Sequence, residues 1–87
     1  NSLNLRLVNN PIIYGALNIE LFSNTASPIE LICTDVTGRV ILYRKLQLIT
    51  GTNYVAIDIR NFAKGIYWIH AVSGAAAGRS NTIKFVK

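Results

Sequence analysis

Apolar and polar residues alternate along most of this chain with a period of two, the pattern of strands half-buried against a core. Leu3, Leu5 and Leu7 alternate with Asn4 and Arg6, and Leu17, Ile19 and Leu21 alternate with Asn18 and Glu20. Ile29, Leu31 and Cys33 form a third set, Val40 to Leu48 a fourth segment, and Val55, Ile57 and Ile59 a fifth. Tyr67, Ile69 and Ala71 alternate with Trp68 and His70, and Ile83 with Phe85 makes a seventh. Val40 to Leu48 breaks parity, because Arg44 falls where an inward side chain belongs; a bulge or a strand that changes sheets is expected there.

Between these segments lie turn signals: Asn9-Asn10-Pro11, Asn24 to Pro28, Thr37-Gly38, Thr50 to Asn53, Lys64-Gly65 and Ser73 to Gly78. No segment holds a helical period over three turns, and Ala75-Ala76-Ala77 is bracketed by Gly74 and Gly78, which reads as a loop. Seven short strands with frequent turns predict an all-β, immunoglobulin-like sandwich of antiparallel strands. Tyr67 points inward just after Gly65, so its ring belongs in the core and its hydroxyl on loop backbone, the arrangement of a tyrosine corner. At least one of Gly38 and Gly65 is expected to take a positive φ.

Eighty-seven residues make a single domain. A chain of this size buries roughly 63% of the surface it exposes when unfolded, leaving little margin for a deep cleft. Hydrophobic residues are 51% and charged residues 15%, a globular balance. No apolar run approaches the roughly 18 residues needed to span a bilayer, and no signal peptide opens the chain. There is no methionine, so the expectation is a domain excised from a longer protein.

The net charge of +5 is unevenly distributed. Up to Asp58, Arg6, Arg39, Arg44 and Lys45 cancel Glu20, Glu30, Asp35 and Asp58; beyond it Arg60, Lys64, Arg79, Lys84 and Lys87 meet no acid. Such polarity fits either an acidic partner for the C-terminal third or an ordinary solvated surface. The single Cys33 has no internal partner for a disulfide and reads as a small buried apolar residue. His70 has no second histidine or cysteine at ligand spacing and reads as a solvated residue on the outward face. Asp35 and Asp58 stand at strand ends, where carboxylates accept backbone hydrogen bonds. There is no nucleophile elbow, no phosphate-cradling glycine loop and no residue set calling for a cofactor or metal. Arg44-Lys45 is the one adjacent basic pair and lacks the aromatic-basic motif of RNA-binding sheets, so nucleic acid is not the expected partner. Trp68, Tyr43 and Tyr54 read as outward aromatics on a sandwich face, which can stack on sugar rings or equally cover a sheet face or meet a protein partner.

The order of motifs is more specific than any one of them. Asn10-Pro11 precedes Leu17–Phe22, and Asp35-Val36-Thr37-Gly38-Arg39-Val40 follows the third strand. Gly51-Thr52-Asn53 leads into Val55–Ile59, then Phe62, then Gly65-Ile66-Tyr67, and the chain ends Ile83-Lys84-Phe85-Val86-Lys87. Over nearly its whole length this resembles the type A C-terminal sorting domain of the type IX (Por) secretion system. Val8 and Asn9 stand where that family usually has an aromatic residue and a proline.

The resemblance implies a non-catalytic address label at the C-terminus of a cargo protein, in a Gram-negative cell. It implies recognition at the outer membrane by the type IX translocon and its shuttle protein, then removal by a sortase and a cargo that is secreted or held at the cell surface. Family-motif positions would be Asn10, Pro11, Asp35, Gly38, Arg39, Asp58, Gly65 and Tyr67, and the recognition segment Ile83, Lys84, Phe85, Val86 and Lys87. The alternative is an immunoglobulin-like carbohydrate-binding or adhesion module of a secreted protein, and pairing as a homodimer is left open.

Overall fold

The computed structural model describes residues 3–8, 15–73 and 78–87. Asn10 and Pro11, and the alanines of the Ser73–Gly78 turn, lie outside them. Seven strands follow the alternation: β1 Leu3–Leu7, β2 Ala16–Ser23, β3 Ser27–Thr34, β4 Val40–Leu48, β5 Gly51–Asp58, β6 Ile66–Ser73 and β7 Ile83–Val86. They form two antiparallel sheets, one ordered β1-β2-β5 and the other β4-β3-β6-β7. In immunoglobulin lettering strands A-B-E face C′-C-F-G, so the architecture is the expected sandwich.

The core is the set of inward positions. The central strand β2 contributes Leu17, Ile19 and Leu21, all fully buried. Opposite them lie Ile29, Leu31 and Cys33 of β3 and Tyr67, Ile69 and Ala71 of β6. Leu3 and Leu5 of β1, Leu48 of β4, Ile57 of β5, Phe85 of β7 and Ile59 just past β5 complete the cluster. Each fully buried leucine or isoleucine contributes about 1.5–3 kcal/mol relative to exposure. Cys33 is part of this packing; burial first, and then the negative charge of Asp35, push its thiol up to about 11. It is therefore protonated and inert at neutral pH.

The parity break in β4 has two parts, and only one is a bulge. Cys33 pairs with Leu42 and Thr34 with Val40, so Ile41 is the extra residue. From Leu42 onward alternation is regular, and Arg44 pairs with the buried Leu31 on the inward face. The bulge does not turn Arg44 outward. β4 is an edge strand, so an inward side chain there reaches the open rim of the sandwich. Arg44 is exposed, and its Nη1 donates to the Ala56 carbonyl of β5 at 3.1 Å, bridging the two sheets.

Tyr67 closes one end. Its ring packs between Phe62 and Phe85, with centroids 5.2 and 5.4 Å away, and its hydroxyl donates to the Ala63 carbonyl at 2.6 Å. A tyrosine near the start of the F strand bonded to backbone just upstream is the tyrosine corner. Tyr67→Phe should lose about 1 kcal/mol with the hydrogen bond. Tyr67→Ala should lose about 3–5 kcal/mol through the cavity. Chemical denaturation of both variants checks this, and equal negligible losses would contradict the buried position.

Candidate recognition surface

The residues singled out in the sequence gather mostly at one end of the sandwich. Register explains why: Thr34 pairs with Trp68, Ile66 with Val86 and Ala16 with Asp58. The β3–β4 turn, the β5–β6 connection and the end of β7 therefore neighbour one another. Asp35, Gly38, Arg39, Asp58, Gly65, Tyr67 and Lys87 all belong to this end.

Each polar group there has a local task. Asp35 Oδ1 accepts from the Thr37 backbone N–H, the Thr37 hydroxyl and the Arg39 N–H at 2.9, 2.6 and 3.1 Å. The Thr37 hydroxyl first, with the two backbone donors and Arg39 behind it, holds the carboxyl below its ordinary value. Gly38 N–H donates to the Asp35 carbonyl and the Asp35 N–H to the Arg39 carbonyl, closing a tight turn in which Gly38 takes φ 84°. The positive φ expected at this turn is there, in the region where a Cβ is strained. Gly65 is also positive, at φ 157°. Asp58 Oδ1 accepts from the Arg60 N–H at 3.0 Å while Arg60 Nη2 reaches Oδ2 at 2.8 Å. That hydrogen-bonded guanidinium holds the Asp58 carboxyl down at about 2.

The five residues Ile83–Lys87 divide sharply. Ile83 and Phe85 face inward, Phe85 buried and Ile83 half-buried against the core. Lys84 and Val86 face out, with Val86 61% exposed. Lys87 is not a free charge: its Nζ donates to the Arg60 and Phe62 carbonyls at 2.8 Å each, and its backbone exchanges hydrogen bonds with Gly65. This lysine ties the β5–β6 connection to the end of β7, a task no local pattern announced.

The outer face of the four-stranded sheet is mixed apolar and polar. Trp68, Ile32 and Val72 are half-buried on it, beside exposed Tyr43, Ile66 and Val86. The Tyr43 hydroxyl donates to Glu30, whose carboxylate raises the phenol's pKa through that bond. His70 faces outward as expected but is half-covered rather than solvated; burial, and then nearby Arg79, lower its pKa and favour the neutral ring. Tyr54 does not join this face. It is 74% exposed on the other sheet, opposite Glu20, so the three aromatics form no single sugar-stacking platform.

Two long-range side-chain contacts have no counterpart in the sequence pattern. Asn81 Oδ1 accepts from the Leu5 N–H at 2.8 Å and its Nδ2 donates to the Leu5 carbonyl at 2.9 Å. The second is the bond from Arg44, already conspicuous in the sequence, to the Ala56 carbonyl. Both contacts join positions far apart in sequence, so nothing local could have signalled them.

Fold and surface together define a small β-sandwich module whose characteristic polar side chains shape turns and secure a short last strand. Residues 10–86 match the secretion system C-terminal sorting domain family, and the chain belongs to that family, the sorting domain of type IX secretion. No curated protein and no solved structure matches it. Membership carries an interaction with the type IX secretion machinery and export to the cell surface or beyond.

The geometry separates the two terminal lysines. Lys84→Glu should leave the melting temperature nearly unchanged, because an exposed charge contributes little. Lys87→Glu should cost about 1 kcal/mol, because two carbonyls lose their donor. Thermal melts of the two variants check this. Gly38→Ala should likewise cost roughly 1 kcal/mol or more by denaturation, from backbone strain alone, since a Cβ there meets nothing within 4 Å.

Proposed function

We propose that this domain is a non-catalytic address label that directs an N-terminal cargo from the periplasm across the outer membrane. The type IX translocon and its shuttle protein read it, and a sortase normally removes it afterwards. The observation that carries this reading is the family match across residues 10–86. The geometry supports it: Asp35, Asp58 and Tyr67 direct their polar groups at neighbouring backbone or an adjacent arginine, which builds a shape and performs no chemistry.

Recognition is assigned to Ile83–Lys87, with Ile83 and Phe85 anchoring the strand and Lys84 and Val86 presented outward. A reporter fused to residues 1–87 should leave a type IX-competent cell. Deleting Ile83–Lys87 should hold it in the periplasm, and Lys84→Glu should slow its export while the fold survives. Fractionation of cells and medium reads all three. Export of the deletion variant at the normal rate would contradict the assignment.

A further inference from the structure

A sandwich of two open sheets has four edge strands, each carrying backbone donors and acceptors that its own sheet does not use. Three of the four edges here carry an obstruction. On β1, the Asn81 side chain occupies both the N–H and the carbonyl of Leu5. On β5, the Arg44 guanidinium occupies the Ala56 carbonyl. β4 is kinked by its bulge at Ile41 and carries the exposed pair Arg44-Lys45 along its edge. Among the described residues, β7 has no bulge and no side chain bonded to its outward backbone, and the one charge on its edge is Lys84.

The orientation of the β7 backbone follows from its last pair. Gly65 and Lys87 exchange both hydrogen bonds, at 3.3 and 2.9 Å. Antiparallel pairs alternate between hydrogen-bonded and non-bonded. Phe85 and Ile83 are therefore the residues bonded to Tyr67 and Ile69, in the observed register. Lys84 and Val86 turn their N–H and C=O groups away from β6, along the open edge. Their side chains rise on the outer face, paired with Trp68 and Ile66. The same two residues thus offer backbone pairing, one cation and one apolar side chain.

We propose that the β7 edge takes up an extended, acidic segment of a partner protein, which adds as a fifth strand to the β4-β3-β6-β7 sheet. Such strand addition draws affinity from main-chain bonds and specificity from alternate side chains. The segment carries an acid opposite Lys84 and an apolar residue opposite Val86. Charge selects this occupant. The stretch after Asp58 contains five cations and no acid, with Lys84, Arg79 and Lys64 exposed. A second copy of this chain, itself at net +5, would set the same cations against one another. The proposal rests on the sorting reading only in assigning the segment to the secretion machinery.

Proline at position 84 tests the edge without breaking the ladder, because the lost N–H faces away from β6. Lys84→Pro should fold with nearly the wild-type melting temperature, whereas Phe85→Pro, which loses a ladder donor, should not. The probe is a capped Thr-Val-Thr-Glu-Thr-Val-Thr peptide, which sets an acid and an apolar residue two apart on one face in either strand direction, titrated into the isotope-labelled domain, with Thr-Val-Thr-Lys-Thr-Val-Thr as the control. The glutamate peptide should shift the amide signals of Lys84 and Val86. The lysine peptide, and the Lys84→Pro domain with the glutamate peptide, should each bind about tenfold more weakly or worse. Export of the Lys84→Pro reporter should fall by a similar factor. The edge proposal is overturned if the peptide shifts no β7 amide, if folded Lys84→Pro is exported at the wild-type rate, or if sedimentation shows a dimer that Lys84→Pro abolishes. A wild-type reporter retained in the periplasm, with the peptide still bound at β7, would sink the sorting reading and leave the edge site standing.

Discussion

Register constrains everything else in this molecule. A strand's side chains alternate between faces, so a slip of one residue exchanges the whole inward set for the outward one. On β2 a slip would replace Leu17, Ile19 and Leu21, all fully buried, with Asn18, Glu20 and Phe22. β2 is paired on both sides, so such a slip would propagate to β1 and β5. The core therefore chooses one pairing, and that pairing alone brings the β3–β4 turn, the β5–β6 connection and the end of β7 together.

Turns and edges are where the charged and amide side chains act; the buried polar residues are serines, of which Ser80 accepts from the Ala71 N–H at 2.8 Å. Asp35 and Asp58 organise the turns they begin, each by accepting backbone N–H groups two residues ahead. Asn81, Arg44 and Lys87 satisfy backbone groups that the sheets leave over, across long stretches of sequence. The exposed ion pair of Arg6 with Glu20, at 3.0 Å, is a different case and contributes little. What matters in the useful polar contacts is which backbone group they occupy.

This division explains how much could be read from the sequence. The seven strands, the two-sheet sandwich, the inward Tyr67 and the buried Cys33 follow from a period of two, which is local and survives in any register. Asp35, Asp58 and Gly38 were legible because turns are local as well. A bulge or a change of sheet was expected in β4, yet the bulge's position at Ile41 and the separate reason for Arg44 were not, since alternation cannot tell a bulge from an edge strand's rim. Grouping Tyr54 with Tyr43 and Trp68 failed similarly: alternation says a residue faces out but not from which sheet. Asn81 and Lys87 carry no periodic signal, because each depends on what the fold brings beside it. The acid-free final third was visible as composition, but the Lys87 engagement shows that charge counts overstate the free charge.

The proposed recognition of the last strand would set that strand two conflicting demands. The strand must be fixed well enough to present one shape, and left open enough to be touched. Ile83 and Phe85 secure it from inside, the Tyr67 ring stacks on Phe85, and Lys87 fastens its end to the Arg60–Phe62 turn. None of these contacts uses the outward backbone or the outer face of Lys84 and Val86. Packing therefore draws on Ile83, Phe85 and Lys87, and leaves Lys84 and Val86 of the same five-residue end outward. Alternation makes that separation possible, so the constraint that fixes the core also leaves the outward face of the last strand uncommitted.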